Sequence, residues 1–374
     1  MQKVGIGTVG FGFIAEVHLE AMLINSMIFI ERPIAYPRAL CTSNQKKNQK
    51  LPYEIITDRM EDLLVDDLVQ VVDICTPNDM HYAAAKAAVE AGKGVYLEKP
   101  LTNNLKDSQK LCKLVEMTSC VNQVALIMRF FPSVTRVKDM LEDGILGDII
   151  HFKMNFYHGS YLDPDRFMSW RQQFAHTGGG ACLDLGIHHI DIMRYLLGDV
   201  KRVMARMITI NKTRYVDDTR EKSIPNDTDE YMTATIELKS GAIGCVEASR
   251  ISTSCSNNEY FEIFGTKGSI YVDLSETPNK IYLYEAIKKE YRRVNQGVGK
   301  YEQDLARIYP FGKVPVEKFV GAHGAAIQNL ALWASGERPF IGTPKFQDAY
   351  EAQKIIAACQ MSSQQMKWVE LSQI

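Results

Sequence analysis

Short apolar runs alternate with amphipathic stretches through the first third of the chain. Val4 to Val9 is one such run, closed by Gly10 and Gly12, and the spacing beyond it predicts a helix to about Ile24. A second strand is read at Ala39-Leu40-Cys41, and a helical pattern covers 60–68. The run Val69 to Cys75 ends in Thr76-Pro77-Asn78, a buried strand followed by a turn. An amphipathic helix over 80–91 stops at Gly92. Gly94 to Leu97 is another short strand, followed by Glu98-Lys99-Pro100. A helix over 104–119 and a strand from Val121 to Ile127 complete the series. Strands alternating with helices predict a doubly wound parallel sheet, placed here at 1–126.

The period changes after that. Pro132 to Leu141 reads as a helix, and from 148 onward the pattern is mostly strand-like: Ile149–Tyr157, Val200–Ile210, Tyr231–Leu238, Ala242–Arg250, Tyr260–Phe264, Ser269–Val272 and Ile281–Glu285. Ser240-Gly241 and Lys267-Gly268 are tight-turn signals between neighbours, which predicts a large mixed, mainly antiparallel sheet. Residues 211–228 are polar and read as a mobile loop, 286–322 fit no pattern, and helices are expected at about 323–335 and 345–365. A chain of 374 residues exceeds most single cores. The fold class expected is α/β: a Rossmann-type domain at 1–126 and an α+β domain for substrate and assembly at 127–374.

One stretch of the second domain carries unusual chemistry. Gly178-Gly179-Gly180 supply a flexible entry, a helix follows over 181–197, and Gly198 stands at its end. At 100° per residue, Asp184, His188 and Asp191 fall within about 60° of one another, while Leu185, Ile192, Met193, Leu196 and Leu197 fill the opposite side. A carboxylate one turn from a histidine can orient it and hold its proton. An ordinary amphipathic helix shows the same polar stripe to solvent. His189 points into the apolar side and is read as a satisfied structural histidine.

Composition narrows the classes. The net charge is −2 with no long charged block, which disfavours nucleic acid and anionic membrane as partners. No apolar run approaches the ~18 residues of a membrane span, and neither a targeting segment nor paired cysteines are seen. The eight scattered cysteines suit reduced thiols, so a cytoplasmic location is expected. No His/Cys spacing predicts a metal site, since adjacent His188 and His189 cannot converge on one ion.

The opening Gly10-x-Gly12-x-x-Ala15 follows a strand and begins a helix. Gly10 makes the tight turn, Gly12 lets the backbone approach a pyrophosphate, and Ala15 allows close helix–strand packing. NAD selectivity usually comes from an acid at the end of the second strand. Here stand Thr42, Ser43, Asn44, Lys46 and Lys47, with no acid before Glu54. Hydroxyls and lysines accept a 2′-phosphate that a carboxylate repels, so NADP is favoured over NAD.

Together these residues resemble the glucose–fructose oxidoreductase/inositol dehydrogenase family, Gfo/Idh/MocA. The resemblance spans nearly the whole chain. It runs from the glycine turn through Thr76-Pro77-Asn78 with His81, Glu98-Lys99-Pro100, Arg129-Phe130-Phe131-Pro132, Trp170-Arg171, Gly178-Gly179-Gly180 and Asp184-x-x-x-His188 to Phe264-Gly265-Thr266-Lys267-Gly268. It implies an NAD(P)-dependent oxidoreductase acting on a sugar, polyol or inositol-like alcohol, with Lys99, Asp184 and His188 as catalytic residues. The implied cofactor contacts are Gly10, Phe11, Gly12, Phe13, Ile14, Thr42, Ser43, Lys46, Thr76, Pro77, Asn78, His81, Glu98, Lys99, Arg129, Trp170 and Arg171. The implied substrate contacts are Lys99, Tyr157, His158, Asp184, His188 and Asp191. Two other readings remain: a lyase or glycosidase that uses NAD transiently, and a non-catalytic NAD(P)-binding sensor. A large sheet with one face covered by the 181–197 helix leaves the other to be covered, so a homodimer or homotetramer is expected.

Overall fold

The computed structural model describes residues 2–163, 165–253, 257–276, 279–295, 297–312 and 316–374. The chain forms two compact units, residues 1–131 with 300–350 and residues 132–299 with 351–374.

The first unit begins β1 (Lys3–Val9), α1 (Phe13–Ile28), β2 (Ile34–Cys41), α2 (Gln45–Asn48), β3 (Ile55–Thr57), α3 (Met60–Leu64), β4 (Val69–Ile74), α4 (His81–Glu90), β5 (Gly94–Leu97), α5 (Leu105–Thr118) and β6 (Asn122–Val124). The six strands form a parallel sheet in the order β3-β2-β1-β4-β5-β6. β1, β4 and β5 are buried almost throughout, which is why they read as unbroken apolar runs rather than alternating ones. Strand order reverses between β1 and β4, where ligands bind in such sheets. β2 is longer than the expected 39–41. Pro37 sits where its register against β1 shifts, and a proline is accommodated at such an irregularity. β6 is shorter than expected. It ends at Val124, whose N–H donates to Pro344 O, and a 3-10 turn follows at Ile127–Phe130.

The second unit contains α6 (Pro132–Glu142), β7 (Ile149–Tyr157), α7 (Phe174–Thr177), α8 (Ile187–Leu197), β8 (Val200–Ile208), β9 (Thr213–Tyr215), β10 (Ser223–Pro225), β11 (Tyr231–Leu238), β12 (Ile243–Ser249), β13 (Asn258–Gly265), β14 (Gly268–Asp273), β15 (Lys280–Glu285) and β16 (Glu290–Val294). The chain then gives α9 (Lys300–Leu305) and α10 (Lys318–Ala334) to the first unit, and ends with α11 (Phe346–Gln365) and β17 (Val369–Glu370).

Nine strands form a sheet in the order β16-β15-β14-β13-β7-β12-β11-β8-β17. β7 and β12 run parallel and the other neighbours antiparallel, the mixed, mainly antiparallel sheet expected. Alternation sorts its faces. Phe152, Met154, Val246, Ala248, Phe261, Ile263, Ile270 and Val272 are buried on one face. Lys153, Asn155, Tyr157, Glu247, Tyr260, Tyr271 and Tyr282 stand on the other, where the last three rings lie 5.8 and 6.2 Å apart in series.

Two expectations are corrected here. The polar stretch 211–228 is not a bare loop: β9 and β10 pair antiparallel within it. Buried Arg214 donates to Asp163 O (2.6 Å) and Arg166 O (3.2 Å), so polar residues hold this segment by main-chain contacts. Much of the unpatterned 286–322 region is β16, α9 and the start of α10, with 296 and 313–315 outside the described residues.

The division at 126/127 also assigns 300–350 to the second domain, whereas these residues pack in the first unit. The α10 sequence is rich in small residues, and Gly324 allows close approach to α1. A Cβ there would meet Asn25 Oδ1 at 3.1 Å, and Asn25 Nδ2 donates to Gly324 O at 2.8 Å. Gln328 Nε2 donates to Pro33 O at 2.8 Å in the same contact. Among the described residues, no helix is long and apolar enough to cross a membrane.

Candidate active site

In the first unit, the glycine turn adopts the form its sequence suggests. Gly10 has φ +86°, and a Cβ there would lie 3.0 Å from Cys75 O, so only glycine fits. Its N–H donates to Cys41 O at 2.9 Å. Gly12 caps α1 with no side-chain acceptor, and a Cβ at Gly12 would meet nothing within 4 Å. The first N–H groups of Phe13, Ile14 and Ala15 have no intrahelical acceptor by helix geometry. An uncapped helix start beside open space is suited to a dinucleotide pyrophosphate, with the helix dipole favouring its charge. At the end of β2, Thr42 is buried and its Oγ1 accepts from Asn44 N (3.3 Å) and Asn48 Nδ2 (3.2 Å), while Ser43 is exposed.

The Thr76-Pro77-Asn78 turn and the Glu98-Lys99-Pro100 segment lie at the carboxyl ends of β4 and β5. Buried His81 joins them, its Nδ1 2.8 Å from Pro100 O and its Nε2 3.0 Å from Thr76 O. With a main-chain carbonyl beside each ring nitrogen, of which a neutral imidazole donates to one, it sits packed between the two turns. Burial lowers its pKa. The Lys99–Pro100 bond is cis. Glu98 is anchored by its N–H to Ile74 O at 3.0 Å, and its Oε2 accepts from Lys99 N at 3.2 Å. Buried Arg129 donates to Asp348 Oδ1 at 3.1 Å.

Sequence reasoning missed the group beneath these turns: His18 of α1, Asp73 of β4 and, behind them, His323 of α10. The signal was present. Ala15, His18, Met22 and Asn25 follow helical spacing on one buried face, and Asp73 interrupts an apolar strand.

In the second unit, the glycine triplet serves close approach rather than flexibility. A Cβ at Gly180 would lie 1.8 Å from Asp229 O. The Asp229 carboxylate accepts from Gly180 N (2.7 Å) and Cys182 N (2.8 Å), placing negative charge at the start of the helical segment. That segment opens as a π turn, Cys182–Gly186, before α8. Each residue of a wider turn advances less than 100°, so Asp184 and His188 come nearer one line than an α-helical wheel gives.

His188 (9 % exposed) and Asp191 (1 %) are buried, so the stripe is not a solvated face. Asp184 is partly exposed, and its Oδ2 accepts from Arg250 Nη2 at 2.8 Å. Arg250, just past β12, is itself buried. Its guanidinium lies 4.7 Å from the Tyr161 ring, and its Nη1 donates to Arg171 O at 3.4 Å. Sequence reasoning passed over Arg250 as the last residue of a strand. A cation ending an apolar strand was the available clue.

The other expected residues divide. Arg171 stacks on Trp170 at 4.5 Å in a short turn capped by Ser169 and Gln172. His158 is half-buried, its Nδ1 3.0 Å from Ser160 Oγ. Tyr157 is separated from the Asp184–His188 group. Alternation along β7 puts it on the face away from the buried core, where it bonds to Glu247 and Asn155. Phe156, one residue earlier, faces the helix and meets His189 edge-on at 5.8 Å.

His189 is buried as expected but is not satisfied: neither ring nitrogen has a hydrogen-bond partner among the described residues. Burial alone pulls its pKa down to about 3. The native state therefore keeps it neutral while the unfolded chain takes up a proton below the ordinary value, so the stability present near neutrality is lost as pH falls from about 6.5 toward 3. His189→Leu is expected to unfold at higher urea at pH 7, by about 1 kcal/mol, with the gap widening by about 3 kcal/mol at pH 4.5. Equal midpoints for the two proteins at pH 4.5 would refute this.

Comparison with known proteins divides the chain once along its length. Residues 4–126 match the sequence model of the oxidoreductase family's NAD-binding Rossmann fold, and 138–371 match that of its C-terminal alpha/beta domain. A levoglucosan dehydrogenase of Pseudarthrobacter phenanthrenivorans is 29% identical over 395 aligned residues covering all of both chains. The scyllo-inositol 2-dehydrogenase (NAD(+)) of Bacillus subtilis is 32% identical over 221 residues, 59% of this chain and 58% of that one. The solved levoglucosan dehydrogenase in complex with NADH and L-sorbose superposes with a TM-score of 0.90 at 28% identity over 99% of each chain. With both halves of the chain matched in order, and with the glycine turn and the Asp184–His188 segment built as described, the protein belongs to the Gfo/Idh/MocA family of oxidoreductases.

Proposed function

We propose that this enzyme oxidises a secondary hydroxyl of a sugar of the levoglucosan type, with NAD(P) as oxidant. The observation that carries the proposal is the uncapped, open helix start at Gly12, in a chain that matches a levoglucosan dehydrogenase end to end. Gly10, Phe11, Gly12, Phe13 and Ile14 hold the pyrophosphate, and Thr76, Pro77, Asn78, Glu98, Arg129, Trp170 and Arg171 complete the cofactor contacts. Bound NAD(P) supplies the carbon that accepts the hydride.

The chain's own residues manage the proton and the charge. His188 takes the hydroxyl proton as general base. Asp184 orients the imidazole and offsets its charge, and is itself held by buried Arg250. Lys99 donates to the substrate oxygen as charge develops on it. Asp191 and His158 bind further hydroxyls of the sugar. Incubating the protein with anhydrosugars, sugars and inositols plus NAD or NADP, and following reduced nicotinamide, tests this reading. Stoichiometric NAD(P)H with an anhydrosugar is expected. Product without NAD(P)H would indicate transient redox instead, and cofactor binding without turnover of any of these compounds would indicate a sensor.

The residues after β2 are Thr42, Ser43 and Lys46, with no carboxylate among them, which favours NADP. Thr42→Asp is expected to weaken NADP at least tenfold, about 1.4 kcal/mol, while changing NAD affinity much less. A parent protein that binds NAD tenfold more tightly than NADP would sink the preference.

The tyrosine-lined face of the nine-stranded sheet is proposed to pair with a second copy, giving a homodimer or homotetramer. Sedimentation at micromolar concentration should show it, and a monomer there would count against it.

A further inference from the structure

We propose that His18, clamped between Asp73 and Glu98, is a positioning residue for Lys99, acting through the Glu98 carboxylate; the proposal rests on Lys99 acting in the dehydrogenase reaction. His18 is wholly buried in the first unit. Its Nδ1 lies 3.0 and 3.1 Å from the two Asp73 oxygens, and its Nε2 lies 3.3 Å from Glu98 Oε1. The other Glu98 oxygen accepts the Lys99 N–H. A continuous path therefore runs from β4 through the imidazole to the main chain that carries Lys99.

The chemistry of the clamp requires a cation. Nδ1 faces two acceptors and must carry a proton. A neutral ring would then turn the Nε2 lone pair toward a buried carboxylate oxygen, leaving two acceptors facing each other where water is excluded. A second proton, on Nε2, removes that repulsion and leaves one net negative charge on the trio instead of two. The Nε2–Oε1 contact lacks hydrogen-bond alignment, so it acts as a charge contact that responds to the state of the ring.

The surrounding groups leave the cationic role to His18. Burial lowers its pKa, but the Asp73 charge and Cys75 more than offset this and hold it well above its ordinary value. Cys75 of the β4 end lies 3.5 Å from Nδ1, with its thiol pushed up by burial. Tyr96 of β5 stacks on the ring at 5.0 Å, with its hydroxyl also pushed up by burial. His323 of α10 lies 4.6 Å away and bonds through Nδ1 to the Tyr96 hydroxyl at 3.2 Å. The Tyr53 hydroxyl, bonded to Thr8 of β1, is a further titratable group that interacts with the ring, and burial raises its pKa as well. The cation is thus present below the raised His18 pKa and is lost as pH rises through it, so turnover should carry an alkaline limb set by this clamp.

The test uses the intact enzyme with its best sugar from the screen above. It compares wild type, Asp73→Asn and His18→Gln for kcat, KM, NAD(P)H affinity and melting from pH 6 to 10. Asp73→Asn is expected to lower kcat at least tenfold at pH 8, with KM and NAD(P)H affinity within threefold, and to move the alkaline limb down by at least one pH unit. His18→Gln, which does not titrate, should lose a similar factor in kcat and no longer show that limb. A kcat within threefold for His18→Gln, or a fall in melting temperature with the limb unmoved in Asp73→Asn, overturns the proposal.

If the variants do not fold, nitrogen NMR of histidine-labelled wild type decides. A doubly protonated His18 at pH 7.5 supports the clamp, and a neutral one overturns it. If wild type turns over no sugar, the dehydrogenase reading fails on its own, and the same spectrum still judges the clamp.

Discussion

Lys99→Met is expected to cut turnover by at least ~10²-fold while leaving the melting temperature and NAD(P)H affinity close to those of the parent. The main chain at this position has hydrogen bonds of its own. Glu98 N–H bonds to Ile74 O, Lys99 N–H bonds to Glu98 Oε2, and Pro100 O is held by His81. Methionine keeps most of the aliphatic volume, so the substitution chiefly removes the ammonium. If that ammonium stabilises charge on the reacting oxygen, its loss raises the barrier to the chemical step and leaves the ground state nearly untouched, which appears in kcat rather than in KM. His188→Asn should show the same pattern, because it keeps a polar group of similar reach but cannot take a proton. The double variant should lose less than the product of the two single losses, since groups that act on one proton transfer do not contribute independently. The opposing outcome is equally specific. A lowered melting temperature and weakened cofactor binding, with turnover within a few-fold, would make Lys99 a structural tie and remove it from the catalytic set.

Features that depend on one strand or one helix were legible in the sequence, and features that depend on partners far along the chain were not. β1 and β4 are buried on both faces and announce themselves as apolar runs, so the parallel sheet and its glycine turn could be read directly. β2 was half hidden, because Pro37 looks like a strand breaker until its register shift against β1 is seen. Tyr157 and Phe156 are neighbours in sequence, but strand alternation sends them to opposite faces, and only Phe156 meets α8 at His189. No local pattern marks Arg250 as the partner of Asp184, 66 residues earlier. The same holds for α10, whose small residues are explained by α1, some three hundred positions away. The π turn was invisible for another reason: a helical wheel assumes one pitch, and nothing between Cys182 and Gly186 signals a wider one.

Two glycine-to-alanine changes, one in each unit, should give opposite results, because the two glycines serve different needs. Gly12 has an extended backbone that any residue can adopt, with φ −120° and ψ −166°, and its Cβ would enter open space. Gly12→Ala should therefore leave the urea midpoint within about 0.5 kcal/mol of the parent. The added methyl instead occupies the approach to the uncapped start of α1, so NAD(P)H affinity should fall at least tenfold, about 1.4 kcal/mol. At Gly180 the Cβ would collide with the main-chain oxygen of Asp229, which cannot rotate away as a side chain could. Moving either chain also disturbs the Asp229 carboxylate bonds to Gly180 and Cys182, which hold the start of the π turn. Gly180→Ala should lose about 3 kcal/mol of stability from overpacking and misaligned hydrogen bonds. Because that turn carries Asp184 and leads into His188, the folded fraction should also lose kcat by tenfold or more, while NAD(P)H titrates normally. Urea unfolding, cofactor titration and kinetics on the two variants check both halves. A Gly12→Ala protein with parental NAD(P)H affinity would refute the pyrophosphate role of the turn. A Gly180→Ala protein with parental stability would show that the approach of Asp229 to the start of the π turn is not fixed as described.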